Sequence, residues 1–197
     1  SPGHEGLTQK GKNPKTGDEI EVLANTFGRL SDKMQEYLKN ILTMTAEKER
    51  VGTELSIASK IQTGMLPEVS GIFAETKEFL LSASMTPAKE VGGDFYDFFM
   101  INDDHLCLVI ADVSGKGVPA ALFMMASKII IVDHAKIGKS PAQVLHDTNK
   151  ALCAKGQSDM FVTIWIGVLE ISTGKLTAAD GGHENPVILK HDGVELY

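Results

Sequence analysis

Apolar residues recur at every third and fourth position along nearly fifty residues, between Asp18 and Met65. This is the spacing of one helical face. Written as heptads, twelve of the fourteen a and d positions are apolar. A monomer's own core does not bury a stripe this narrow and long, so residues 18–65 are predicted to form a parallel coiled coil or a four-helix dimeric bundle. The alternative is one long helix lying across a globular domain. The fourteen positions are Ile20, Leu23, Phe27, Leu30, Met34, Tyr37, Ile41, Met44, Lys48, Val51, Leu55, Ala58, Gln62 and Met65.

The stripe weakens toward its C-terminal end. Lys48 and Gln62 replace apolar residues at a positions, and Gly52 lowers helix stability by about 1 kcal/mol relative to alanine. Pro67 ends the pattern. A helix segment of low stability between an oligomer interface and a second domain can change between two conformations and so transmit a signal. The predicted divisions are a tag and disordered lead (1–16), a signalling helix (17–65) and a globular domain (66–197).

The net charge of −7 lies entirely in the globular part of the chain. Residues 66–197 contain 10 basic and 17 acidic groups, whereas residues 1–65 contain 9 of each. An acidic body argues against nucleic-acid binding, which needs a basic face, and leaves metal cations as partners. Since no uninterrupted apolar run approaches the ~20 residues of a membrane span, this chain is predicted not to cross a bilayer by itself. Cys107 and Cys153 are predicted to be buried free thiols.

From residue 66 onward, short apolar runs alternate with turns. The turn at residues 102–104 is predicted to join two strands as an antiparallel pair. Pro119 suits the first turn of one helix, and Ser140 caps another. Strands in succession, two inserted helices and further strands describe a layered α+β sandwich. The predicted strands are 79–85, 95–101, 106–113, 160–171, 175–180 and 185–190, and the predicted helices cover 120–132 and 140–156.

Two acidic segments stand next to glycines at predicted strand ends: VGGDFYD at 91–97 and IADVSGKG at 110–117. Asp94 enters one strand and Asp112 leaves the next, so a hairpin between them places both carboxylates at one end of a sheet. Hard divalent cations bind such oxygen ligands. The alternative for either segment alone is an ordinary turn, because Asp and Gly are common turn residues. A nucleotide-binding loop is not predicted, because the GxxxxGK[ST] spacing is absent.

Four segments, taken in order, together resemble one protein family. They are ASKIQTGMLP at 58–67, VGGDFYD at 91–97, ADVSGKGVPAAL at 111–122 and GGHENP at 181–186. Over about residues 55–197, the chain resembles the SpoIIE-type bacterial branch of the metal-dependent (PPM family) serine/threonine protein phosphatases. The resemblance implies an α+β fold, a layered α-β-β-α sandwich of PPM type, preceded by the long helix. Residues 17–34 resemble the second helix of a HAMP signal-relay module.

The resemblance also implies a metal site. Asp112 matches the carboxylate that bridges two Mn²⁺ or Mg²⁺ ions, and the backbone carbonyl of Val113 matches a neighbouring ligand. Asp94 matches an acidic ligand of one of the ions. Two cations sharing a carboxylate lower the pKa of a water, which then attacks the phosphoserine phosphorus in line. No protein nucleophile is required.

Three further residues are predicted to assist these ligands. His183 is the candidate general acid for the departing serine oxygen, and the alternative is a histidine that only hydrogen-bonds its own turn. Asp97 is predicted to share the strand face of Asp94 and to contact the metal ligands without binding the ion itself. Gly93 is also predicted to contact the metal ligands without binding the ion.

The implied function is a bacterial signalling phosphatase. Its substrate would be a phosphorylated regulatory protein, an anti-sigma-factor antagonist, and its regulation would run through a homodimer of residues 18–65. A transmembrane sensor would precede this cytoplasmic portion, which is itself expected to be soluble. The alternative is a catalytically incomplete interaction module that acts through helix-mediated dimerisation. A purely structural coiled-coil protein would leave the glycine–aspartate loops unexplained.

The family continues to further metal-ligand aspartates in Asp-Gly motifs. Asp192-Gly193 resembles that dipeptide but comes too early, in a predicted hairpin between Ile188 and Leu196. The chain is therefore expected to stop before the ligands of the second ion, and this fragment is expected to be impaired.

Overall fold

The computed structural model describes residues 17, 19–70, 73, 76–87, 90–154, 159–190 and 193–196. The predicted lead at 1–16 and the Asp192 of the Asp-Gly dipeptide lie outside these residues. The chain divides into two compact units, the first ending at Thr53 and the second beginning at Glu54.

A single 45-residue helix, α1 (Glu19–Thr63), carries the heptad stripe. Glu19 and Glu21 lie in its first turn and Lys60 in its last, where each charge interacts favourably with the helix dipole. The predicted long helix is therefore confirmed, while its pairing with a second helix stays a prediction. Nine apolar a and d side chains of α1 in the first unit are exposed by 43–71% of their surface: Ile20, Leu23, Phe27, Leu30, Met34, Tyr37, Ile41, Met44 and Val51.

The second unit contains a four-stranded antiparallel sheet and a separate two-stranded hairpin. The strands are β1 (Phe95–Asn102), β2 (His105–Val113), β3 (Val162–Glu170), β4 (Lys175–Gly181), β5 (Val187–Lys190) and β6 (Gly193–Leu196). The larger sheet has the order β1-β2-β3-β4. Phe95 pairs with Ala111, which also pairs with Ile164 of β3. The predicted antiparallel pair and the predicted hairpin at β5–β6 are both confirmed.

Two helices between β2 and β3 cover one face of the sheet. The first, α2 (Val118–Lys136), has a proline in its first turn, and α3 (Pro141–Cys153) begins with a capping box formed by Ser140 and Gln143. In that box the Ser140 amide donates to Gln143 Oε1 at 3.1 Å. Apolar residues of these helices and of β1–β3 share one core, which includes Phe95, Val109, Val113, Ala120, Met124, Ile131, Val144, Ile164 and Ile166.

Among the described helices, α2 is the one that length and composition would allow to span a membrane. Seven of its nineteen residues are buried within the protein, and Met124 and Ile131 belong to the core shared with the sheet. The apolar composition of α2 is therefore that of a core helix.

The two cysteines are free, as predicted, but their environments differ. Cys107 is fully buried on β2, where burial, with a smaller contribution from the Asp97 charge, raises its pKa to about 12. Cys153 is exposed at the end of α3. The prediction that both thiols are buried is thus wrong for Cys153, because the apolar residues before it in sequence lie on the other side of an amphipathic helix.

The predicted strand at residues 79–85 is also wrong. Its side chains alternate between half-buried and exposed, as in a strand, and Leu80 is fully exposed. None of the described strands pairs with this segment. The alternating pattern reflects an extended backbone, and a ladder additionally needs a neighbouring strand in register.

Candidate metal centre at one end of the sheet

Asp94 and Asp112 lie together at one end of the sheet. Asp94 immediately precedes β1, Asp112 is the penultimate residue of β2, and the pairing of Phe95 with Ala111 makes them neighbours. Partial burial and then the neighbouring Asp112 carboxyl group raise the pKa of Asp94, while the charge of His183 opposes the rise. Two carboxyl groups held this close at one end of a sheet are suited to bind a divalent cation together.

Both aspartates face open space. They line a cavity of about 520 Å³ together with Tyr96, Thr163 and His183. A second cavity, of about 380 Å³, is lined by the same two aspartates and by residues of the two glycine loops, including Val113 and Lys116. The carboxylates are therefore accessible to both an ion and a phosphate ester.

Gly93 lies against the end of β2, where a side chain would not fit. A Cβ atom at this position would be 2.8 Å from the Val113 carbonyl oxygen and 2.9 Å from the Val113 Cβ, which is closer than van der Waals contact allows. Glycine therefore lets the residue before Asp94 approach the carbonyl predicted to be a ligand.

The oxygen donors fit a hard divalent cation: two carboxylates and one backbone carbonyl. Within the described ranges, no group of three or more His, Cys, Asp or Glu side chains is placed to hold a metal. The roles of Asp94, Asp112 and Val113 as ligands accordingly stay predictions.

His183 is held beside the aspartates by two contacts. Its Nδ1 lies 2.9 Å from the Thr163 hydroxyl oxygen, and its backbone N–H donates to Asp180 Oδ1 at 2.8 Å. Gly182, with φ +83°, makes the turn that brings the imidazole into the cavity. The imidazole thus contacts Thr163 on β3, while the hydrogen bond within the turn is made by the backbone N–H. The general-acid role stays a prediction.

Thr163 was not predicted to belong to the site. It stands opposite Asp112 in the β2–β3 register, and its hydroxyl lies 3.4 Å from the Asp112 carbonyl oxygen. The sequence carries no motif around Thr163, so the strand register alone identifies it.

The prediction for Asp97 is wrong. Asp97 follows Asp94 by three positions, and an odd spacing in a strand reverses the face. Its carboxylate points toward the helices, where it forms an ion pair with Lys128 of α2 and accepts the Phe98 N–H at 3.0 Å. Asp97 is buried between β1 and α2 and is not among the residues that line the two cavities around Asp94 and Asp112.

Comparison with known proteins identifies the domain. The family model described as Stage II sporulation protein E (SpoIIE) matches residues 102–197. Over these residues the chain is a SpoIIE-type phosphatase domain. Phosphatases of this family are in general metal-dependent.

Two curated relatives and one solved structure show the extent of the similarity. The chain is 32% identical to Protein IcfG of Synechocystis sp. over 209 residues, covering 90% of this chain and 31% of that protein. It is 31% identical to the phosphoserine phosphatase RsbU of Bacillus subtilis over 143 residues, covering 72% of this chain and 41% of RsbU. The chain thus spans less than half the length of either relative.

The SiaA-PP2C domain of Pseudomonas aeruginosa has the same fold. It matches with a TM-score of 0.58 and 28% identity, covering 70% of this chain and 55% of that one. The predicted α+β fold of PPM type and the predicted phosphatase family are therefore confirmed. The resemblance of residues 17–34 to a HAMP module stays a prediction.

Proposed function

We propose that this chain is the signalling and catalytic part of a divalent-metal-dependent protein phosphatase that hydrolyses phosphoserine or phosphothreonine on a regulatory protein. The observation that carries the proposal is the meeting of Asp94 and Asp112 in an open cavity of about 520 Å³. The name of RsbU, a phosphoserine phosphatase, supports the choice of substrate residue.

Each side chain of the site has a role in this proposal. Asp94, Asp112 and the Val113 carbonyl would hold Mn²⁺ or Mg²⁺, with two ions in the intact domain. Ions bound there would supply an acidified water and neutralise the phosphate oxygens. His183 gives a proton to the departing serine oxygen. Thr163 contacts the imidazole at Nδ1, so Nε2 is the ring nitrogen that would carry that proton.

The test is metal-dependent phosphate release by the intact protein from a phosphoserine protein, taken from the class of anti-sigma-factor antagonists that we propose as substrate. Release is expected to fall to the uncatalysed rate in EDTA and to return when Mn²⁺ is added. Release that persists after complete removal of divalent ions would contradict the proposal. No release under any condition, with self-association intact, would favour the alternative of an interaction module.

We also propose that the first unit regulates the enzyme as a parallel homodimer, that residues 17–34 of this unit are the C-terminal part of a HAMP module, and that a membrane-anchored sensor precedes the module in the parent protein. The exposed heptad side chains of α1 support the dimer, because burying such a stripe against a second copy removes apolar surface from water. The resemblance of residues 17–34 supports the HAMP assignment.

Leu30→Asp, at a d position, is expected to weaken self-association of this chain at least about tenfold, since each buried leucine side chain contributes about 2 kcal/mol. Sedimentation equilibrium measures the dimer dissociation constant directly. Ala46→Asp is the matched control, because Ala46 is exposed at an f position of the same helix and faces away from the seam. Equal weakening by both substitutions would point to loss of helix stability and contradict a heptad seam.

A further inference from the structure

Gln62 is a polar residue buried in an otherwise exposed or half-buried helix. It lies in the last turn of α1 and is the one residue of that helix that is buried, with 4% of its surface exposed. In the heptad pattern it is an interruption at an a position. A buried amide needs hydrogen-bond partners, and these partners connect the helix to the site.

Both partners belong to one residue, Gly92. Gln62 Nε2 donates to the Gly92 carbonyl oxygen at 2.6 Å, and Gln62 Oε1 accepts the Gly92 N–H at 3.1 Å. The side-chain amide thus pairs with the backbone of Gly92 as a neighbouring strand would. Two bonds fix the orientation of the Gly92 backbone as well as its position, which one bond would not do.

The next two residues along the chain are Gly93 and Asp94. Gly93 packs against the Val113 carbonyl on one side, with the Ala120 side chain also close to it. The loop that enters β1 is therefore held by Gln62 before Gly93 and by Val113 at Gly93. Little freedom remains in the backbone that presents the Asp94 carboxylate.

We propose that Gln62 is a positioning residue for Asp94. By pairing with Gly92 it holds the loop in the conformation that directs the Asp94 carboxylate toward Asp112, so the ligand geometry forms on folding and not on metal binding. The inference rests on the proposed function of Asp94 and Asp112 as metal ligands. The proposal also assigns a structural role at the site to the segment at 58–67, which is otherwise identified only by its resemblance to the family.

Gln62→Glu tests the proposal with minimal change of shape. The substitution keeps the acceptor for the Gly92 N–H but places a second oxygen against the Gly92 carbonyl. The Mn²⁺ dissociation constant, measured by electron paramagnetic resonance of free Mn²⁺, is expected to rise about tenfold, as it does when partners of metal ligands are lost. In metal-free protein, the amides of Gly93 and Asp94 are expected to exchange hydrogen faster than in the wild type.

Two control variants separate positioning from general stability. Gln35→Glu makes the same chemical change at an exposed site of the same helix and is expected to leave Mn²⁺ binding unchanged. Val144→Ala removes core volume in α3, where Val144 is 1% exposed. It is expected to lower the melting temperature while leaving the Mn²⁺ dissociation constant of folded protein within about twofold, because it leaves the loop intact.

The outcomes decide between the two proposals. Unchanged Mn²⁺ binding in Gln62→Glu, or equal weakening in Val144→Ala, would overturn the role of Gln62. If the wild type itself bound no Mn²⁺, the proposed metal site would fail. Hydrogen exchange at the Gly93 and Asp94 amides would then test the role of Gln62 independently of metal binding. Faster exchange in Gln62→Glu supports the positioning role, and unchanged exchange overturns it.

Discussion

Asp112→Asn in the intact protein is expected to lower metal-dependent phosphate release more than about 100-fold. Loss of residues that merely support a metal ligand costs 10- to 100-fold, and Asp112 faces Asp94 directly in the cavity. The amide keeps the shape of the carboxylate but loses the charge that attracts a hard cation. Phosphate release at saturating Mn²⁺, with Mn²⁺ binding measured on the same sample, is the appropriate assay.

Asp133→Asn is the matched control for this prediction. Asp133 is an exposed aspartate on α2 and lies outside the cavity that contains Asp94 and Asp112. It is expected to retain wild-type activity. If Asp112→Asn also retained it, the proposed role of the two carboxylates would be wrong.

Lys128→Met is expected to destabilise the folded domain by about 3–5 kcal/mol, because it leaves the carboxylate of Asp97 buried without a cation. Asp97 is 6% and Lys128 9% exposed, and their ion pair links β1 to α2 within the core. Urea unfolding at neutral pH measures the loss in the free energy of unfolding. The double substitution Asp97→Asn with Lys128→Met is expected to recover most of it, since no unpaired charge then remains.

Lys139→Met provides the comparison at the surface. Lys139 forms an ion pair with Asp147 at 2.7 Å, and about a third of each side chain is exposed. Water replaces a lost partner there, so the expected loss is below about 1 kcal/mol. Similar losses for Lys128→Met and Lys139→Met would show that the buried pair is not what holds β1 and α2 together.

The local pattern of the sequence predicted most of the secondary structure and the core of the site. The heptad spacing identified α1, and the short turn at residues 102–104 fixed β1 and β2 as an antiparallel pair. That pairing also predicted the meeting of Asp94 and Asp112, because residues at the open ends of a hairpin are neighbours whatever the rest of the fold does.

Three predictions from the sequence were wrong. One misapplied the spacing of residues along a strand, and two concern features that residue spacing does not determine by itself. Asp97 was assigned to the wrong face, although its odd distance from Asp94 along an extended backbone already implied the opposite one. The extended segment at 79–85 alternates like a strand but has no described partner. Cys153 is exposed because its position on α3, and not its apolar neighbours in sequence, determines its burial.

The sequence by itself determined the helix, the hairpin and the pair of aspartates, because each follows from interactions between residues close along the chain. Tertiary structure alone decided the contacts of Gln62 with Gly92, of Thr163 with His183 and of Asp97 with Lys128. These partners are 20 to 31 positions apart, and a polar side chain has many possible partners at such distances. The packing of the sheet and helices selects one of them by removing the others from reach.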